Sequence, residues 1–380
     1  MSPTPVTFAS PVAPQGYSWE ATNEEVAARY GLPVERVARF DLNTSPEPPA
    51  LAGRLLAAGR FDVPVSEYPP SDYRRLVAAA AARYGVGTDE ILVGAGADEV
   101  LDLVAKAFLA PGGSAVLPVP SYAMYRVLDD QRGVTTRAVP RLGPESGYRL
   151  DPPAVRAAAF GADLVWLCNP NNPTGLPEPD GAIAALLDGI LEDAAAAGVP
   201  APVVILDEAY VEFAGGSLVG LRERYGGLVT VRTMSKAYAL AGLRVGFALA
   251  RPEIIDRIAP YRPPGSVAVP SLAIATEALA TDGIYDPNVA RVHRERERLT
   301  TALEEFGWTP RPSVTNFILV DLGTPQVAAD AAEHLMRNGL VPRTFGAAHP
   351  LAHCLRITVR DEAADDRFIA AVRAFGLPGR

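Results

Sequence analysis

Lysine is nearly missing from this chain. Lys106 and Lys236 are the only two in 380 residues, against 35 basic residues in all. Cysteine is as scarce: Cys168 and Cys354 lie far apart and form neither a metal-binding pattern nor a disulfide framework. That scarcity suits a reducing compartment, and with no basic, apolar leader in "MSPTPVTFAS" the expected location is the cytoplasm. No apolar run is long enough to span a membrane without a proline or a charge. Positive charge is also short, at a net −9, which argues against nucleic acid as a partner. An anionic ligand therefore needs a local site. Internal repeats and low-complexity linkers are absent.

What remains is an ordinary globular composition, 48% hydrophobic and 21% charged, in a chain long enough for two domains. The proline-rich start (1–16) reads as an arm. "TNEEVAARYG" reads as a helix with Thr22 as N-cap and Gly31 as stop. From residue 72 apolar strands alternate with helices: "ILVGAG", "SAVLPVP", "VTTRAVP", "ADLVWLCNP", "APVVILDEAY", "GLVTVRT" and "RVGFALA". Continuous apolar runs separated by helices predict an α/β fold, a mostly parallel sheet covered on both faces. "ADEVLDLVAKAFLAPGG" reads as one helix ending at Gly112, and 271–306 as one long helix. The remainder reads as a small α+β domain. The expected division is 1–45 as arm and part of the small domain, 46–263 as the large domain and 264–380 as the small one.

Ligands of open α/β sheets bind beyond the carboxyl ends of the strands. After "ILVGAG" comes the start of a helix at Ala97 and Asp98, an anion cradle or simply a turn. After "LVWLCNP" comes Asn172 in "NNPTG", a ligand for an oxygen or again a turn. Asp207 ends an almost wholly apolar strand, as a paired carboxylate or a helix cap, with Tyr210 three residues on. Lys236 follows in "MSK", with Arg244 beyond it. A surface cation works equally well as arginine, whereas an amine that must lose its proton and attack a carbonyl does not. GC-rich coding and a solvated loop lysine are the competing account. A phosphate cradle, an amide, a buried acid, a tyrosine and a lysine at one sheet edge together match the needs of pyridoxal 5′-phosphate.

On "NPNNPTG", "LDEAYVEF", "TMSKAYALAGLRVGFALA" and "LRITV", in that order, the chain resembles fold-type I pyridoxal-phosphate enzymes. Within them it is most similar to the histidinol-phosphate aminotransferase branch of the class I/II aminotransferases. The resemblance covers about residues 15 to 375. It implies a large domain built on a mostly parallel seven-stranded sheet, with a small α+β domain. It implies that Lys236 bonds covalently to the cofactor and shuttles the substrate proton. Asp207 is implied on the ring nitrogen, Tyr210 and Asn172 on the phenolic oxygen, and Tyr122 stacked on the ring. Ala97, Asp98, Ser235, Arg244 and Thr233 are implied at the phosphate. Tyr68 is implied to reach the site of a neighbouring subunit, which makes the enzyme a homodimer. Arg356 is implied at the substrate α-carboxylate. Arg343, Asn43 and Tyr17 are implied at the substrate end, although Tyr17 reads equally as a packing residue of the arm.

The implied partners are small molecules, an amino donor and a 2-oxo acid acceptor. The chain departs from the family pattern in "LNTSP", which keeps Asn43 but lacks an acidic residue, and at Arg360, where glycine is frequent. His349 and His353 read as surface-loop residues, and no metal is expected. Three reactions stay open: transamination of histidinol phosphate, transamination of an aromatic or specialised amino acid, and a threonine-phosphate type of decarboxylation.

Overall fold

The computed structural model describes residues 16–59 and 61–376. Apart from Gly16, the expected arm therefore lies outside the described residues. The larger unit is built on a seven-stranded sheet. Its spatial order is Ile91–Gly94, Gly246–Leu249, Leu228–Thr233, Val203–Asp207, Leu164–Cys168, Ser114–Val119 and Thr135–Pro140. Only Gly246–Leu249 runs antiparallel to its neighbours. The apolar runs are continuous because both faces are covered. Along the central strands, Leu164, Trp166 and Ile205 enter one buried cluster. Val165, Leu167, Val204 and Leu206 enter another on the opposite face. The period of two in the pleat thus sorts one apolar run into two cores.

Local signals set several helix ends. Thr22 and Glu25 form a reciprocal capping box, at 2.8 and 3.2 Å, and Gly31 ends that helix with a positive φ of 66°. The helix expected to run to Gly112 spans Ala97–Phe108 instead. Pro111 disfavours helical backbone just before it, and Leu109 is already extended. The single helix expected over 271–306 is two, Val269–Ala280 and Asp286–Glu305, separated by a turn in which Gly283 has φ 66°. The first of these lies beyond the division expected at 263. Even so, its Ile274, Ala275 and Ala278 pack with Leu76, Ala80 and Phe247, so by packing it belongs with the larger unit.

The smaller unit pairs Phe317–Asp321 with Cys354–Thr358 and Thr309–Pro310, all antiparallel. Its core gathers Phe40, Leu299, Trp308, Ile318, Leu335, Ile357 and Phe368. Ala38–Phe40 joins it from the N-terminal side by parallel pairing with Leu340–Pro342. That pairing brings residues 41–44 to the sheet edge of the larger unit. No helix among the described residues is long and apolar enough to cross a membrane.

Candidate active site

The carboxyl ends of the parallel strands and the smaller unit enclose a cavity of about 660 Å³. Ala97, Asp98, Tyr122, Asn172, Asp207, Tyr210, Thr233, Ser235, Lys236 and Arg244 line it from the larger unit. Tyr17, Asn43, Arg343 and Arg356 line it from the other side. Of the candidate site residues expected from the sequence, Tyr68 alone stands apart, 90% exposed.

Asp207 lies at the floor, 3% exposed. Tyr125 Oη donates to its Oδ2 at 2.7 Å, and the Ala209 amide donates to Oδ1 at 3.0 Å. Burial outweighs both bonds and raises the Asp207 carboxyl from 3.8 to about 6. Tyr125 is held in turn by stacking on Trp166, centroid to centroid 5.1 Å. Sequence reading missed Tyr125. Its signal was the spacing of three from Tyr122, which puts the two rings one turn apart at the start of Ala123–Arg132. Cys168, beside Asp207, is pushed up to about 12 by burial and stays a neutral thiol.

Lys236 follows the Leu228–Thr233 strand and is only partly buried. Its Nζ lies 3.4 Å from the Leu42 carbonyl and 5.7 Å from the Tyr210 ring centre. Desolvation, then the nearby Arg356 charge, lowers the ammonium from 10.5 to about 8. This lysine is therefore chemically unlike a surface one. Tyr210 accepts a hydrogen bond from Asn43 Nδ2 at 2.9 Å, while burial raises its hydroxyl well above the ordinary range. Asn43 adopts φ 53° and is fixed by Thr358 Oγ1 on its amide at 3.0 Å. Its side chain thus serves Tyr210 directly.

The opposite end of the cavity suits an anion. The Ala97–Phe108 helix starts there, and its first-turn N–H groups have no acceptor within the helix. Gly96 has φ 85°, and a Cβ on it would lie 2.5 Å from an Arg244 nitrogen. A Cβ on Gly246 would lie 2.5 Å from the Gly96 carbonyl carbon. Two glycines therefore permit this close approach of the backbone. Arg244 Nη2 contacts Asp98 Oδ2 at 3.3 Å, and Tyr122 Oη donates to Asp98 Oδ1 at 3.0 Å. Thr233 and Ser235 join their hydroxyls at 3.0 Å. An amine of lowered basicity, a buried acid and an anion cradle, on three sides of one cavity, fit pyridoxal 5′-phosphate by the chemistry of their donors.

Arg356 is buried in the cavity wall. Its Nη1 donates to Asn172 Oδ1 at 2.7 Å and its Nη2 to the Asp41 carbonyl, while Nε has no partner among the described residues. Arg343 pairs with Arg356 through two backbone hydrogen bonds of 3.0 Å, so two guanidinium groups stem from directly opposed positions. Arg343 also lies 5.4 Å from the Tyr17 ring centre and donates to the Ser18 carbonyl at 2.7 Å. Trp19, Asp41 and Leu42 belong to this wall and were not singled out, because nothing local in the sequence marks them. The histidines take separate roles. His349 Nδ1 accepts from the Leu351 amide at 3.1 Å. His353 lies 3.8 Å from Asp321, a carboxylate already held by Arg311 at 2.6 Å.

A family model described as aminotransferase class I and II matches residues 57–372. A histidinol-phosphate aminotransferase of Symbiobacterium thermophilum is 34% identical over 357 residues, covering 90% of this chain and 94% of that protein. One of Shigella flexneri is 36% identical over 299 residues, covering 76% and 79%. The crystal structure of histidinol-phosphate aminotransferase from Sinorhizobium meliloti in complex with pyridoxal-5′-phosphate superposes with a TM-score of 0.84. It is 26% identical, and the match covers 94% of this chain and 95% of that one. L-threonine-O-3-phosphate decarboxylase from Porphyromonas gingivalis superposes with a TM-score of 0.74 at 25% identity, covering 89% and 99%.

Proposed function

The chain belongs to the class I and II aminotransferases, and from that premise we propose a pyridoxal-phosphate-dependent transamination with histidinol phosphate as amino donor and 2-oxoglutarate as acceptor. The cofactor, when bound, supplies an aldehyde that exchanges amines and a ring that draws electrons from the substrate Cα. Lys236 would hold it covalently, and the Lys236 amine moves the proton at the substrate Cα. Asp207 keeps a proton on the ring nitrogen, itself steadied by Tyr125. Tyr210 and Asn172 would hold the cofactor's phenolic oxygen, and Tyr122 would support its ring. The amides of Ala97 and Asp98, with Thr233, Ser235 and Arg244, would hold its phosphate. The exposed Tyr68 extends to the phosphate of a second copy, so the working unit is a homodimer, and it acts in the cytoplasm.

One observation carries the substrate reading: Arg343 and Arg356 arise from directly opposed positions, with Tyr17 against the former. Arg356 suits an α-carboxylate. Arg343 suits the phosphate of histidinol phosphate, or the side-chain carboxylate of glutamate and 2-oxoglutarate. Likeness to the threonine-phosphate decarboxylase favours a second reading, because that reaction can use the same cofactor contacts. Product analysis separates the two, since only decarboxylation releases CO₂.

Parallel kinetics on histidinol phosphate, glutamate and phenylalanine test the assignment. Arg343→Ala is expected to lower kcat/KM for histidinol phosphate by ~2–4 kcal/mol and to change phenylalanine little. Arg356→Ala is expected to harm all three donors, glutamate and phenylalanine through their α-carboxylate and histidinol phosphate because its phosphorylated hydroxymethyl group takes the place of that carboxylate. Equal damage from Arg343→Ala across all three donors removes the case for a phosphorylated substrate.

A further inference from the structure

We infer that Glu20 is a positioning residue of the reaction, a latch that holds residues 17–20 across the cavity mouth and so sets Tyr17 and Arg343 against the anionic end of the substrate. The inference rests on the reading of Arg343 given above. Residues 16–22 have no regular secondary structure, so side-chain contacts decide where they lie. One oxygen, Glu20 Oε1, gathers three of them. It accepts from the Thr344 amide at 2.8 Å and from the Thr344 hydroxyl at 2.8 Å, and it lies 3.7 Å from Arg343 Nη1. The side chains of Glu20 and Arg343 are 14% and 16% exposed, so this contact is little screened by solvent.

Behind the latch is a second tether. Arg39 Nη1 donates to the Ala21 carbonyl at 2.6 Å, and Arg39 forks onto Asp41. The Asp41 carbonyl in turn accepts from Arg356. Residues 17–19 lie outside this second tether. Among the described residues, their remaining hydrogen bond to the rest of the wall without Glu20 is the one from Arg343 to the Ser18 carbonyl. Two aromatic rings depend on that stretch. Tyr17 packs edge-on against Trp19 at 4.8 Å and lies 6.2 Å from Tyr122. Trp19 lines the cavity although it is 71% exposed. Glu20 also draws on one edge of the Arg343 guanidinium. Among the described residues, both hydrogen-bonded or paired contacts of that group use Nη1. The other edge is thereby oriented for a ligand, which is what bidentate recognition of a phosphate or carboxylate needs.

Glu20→Ala and Glu20→Gln in the holoenzyme separate this role from simple stabilisation. Glutamine keeps a carbonyl oxygen for Thr344, and alanine does not. Hydrogen exchange of the Thr344 amide is expected to quicken about tenfold or more in Glu20→Ala and to return towards the wild-type rate in Glu20→Gln. In Glu20→Ala, KM for histidinol phosphate and for glutamate is expected to rise about tenfold with kcat within about twofold, and Gln is expected to restore most of it. Arg343→Ala serves as the reference. If Arg343→Ala raises KM for histidinol phosphate and Glu20→Ala leaves both KM and exchange unchanged, the latch is wrong. Equal losses in kcat and KM without rescue by glutamine also overturn it, since they mark a structural role. If Arg343→Ala has no effect on histidinol phosphate, the substrate reading falls. Exchange at Thr344 and KM for glutamate still decide the latch.

Discussion

Replacing Lys236 with alanine is expected to lower turnover by at least ~10³-fold while the protein still binds pyridoxal phosphate. General acid–base transfer alone is worth about 10² to 10⁴, and loss of the covalent link adds to it. The proposed phosphate and ring contacts do not involve the lysine, so retention without a covalent bond is expected. Borohydride reduction followed by peptide mapping checks this: label on Lys236 in the parent, and none in the variant. Label on Lys106 would overturn the assignment. That lysine is paired with Asp102 at 2.6 Å, four residues back on the same helix, a solvated contact with no role in the cavity. The depressed basicity of Lys236 carries its own pH signature. Covalent capture of the aldehyde by cofactor-free protein requires the neutral amine. Its rate should climb with pH through the neutral range and level off above about 8. An ordinary lysine would still be gaining at pH 9.

Asp207→Asn is expected to cut two properties in opposite directions. Turnover should fall by at least tenfold, because the variant loses a charge-assisted bond of ~1.5–3 kcal/mol to the protonated ring nitrogen. Near-normal turnover would eliminate Asp207 as the group that keeps that proton in place. Stability of the cofactor-free protein should rise. The folded state raises the carboxyl from 3.8 to about 6, so the unfolded chain ionises more readily. The group's contribution is then fully favourable below pH 4 and is lost as pH rises through 6. At pH 7 the difference amounts to about 3 kcal/mol against the folded state. Asparagine removes that charge but weakens the contacts with Tyr125 and Ala209, which leaves a net gain of ~1–2 kcal/mol. Denaturant unfolding of the two proteins at pH 7.5 and pH 4 tests it. A gain that is unchanged at pH 4 would show that burial of the charge is not its source. Such a gain would mean that the proposed role of Asp207 works against stability, as is common where a site holds a group ready for its ligand.

Much of the fold was legible in the sequence because its signals are local. "LVWLC", "VVILD" and "LVTVRT" are apolar at consecutive positions, and only a strand covered on both faces has use for that. The ends of those strands are also local, so the sheet edge carrying Asp207, Asn172 and Lys236 could be read before any contact was known. Thr22 and Gly31 marked their helix for the same reason. Helix ends governed by a downstream proline or by a turn of weak signal were misplaced, at Phe108 and around Gly283.

The tertiary structure decided what depends on pairs distant in the chain. Tyr125 meets Asp207 across 82 residues, Asn43 meets Tyr210 across 167, and Glu20 meets Thr344 across 324. No periodicity encodes such meetings, since each follows from how whole elements pack. The same packing places Val269–Ala280 on the larger unit, although the next helix, Asp286–Glu305, carries Leu299 and Leu303 into the core of the smaller one. It also sets the basicity of Lys236. The residue type was legible in the chain, but desolvation and the Arg356 charge that bring it to about 8 exist only once the two units close around it.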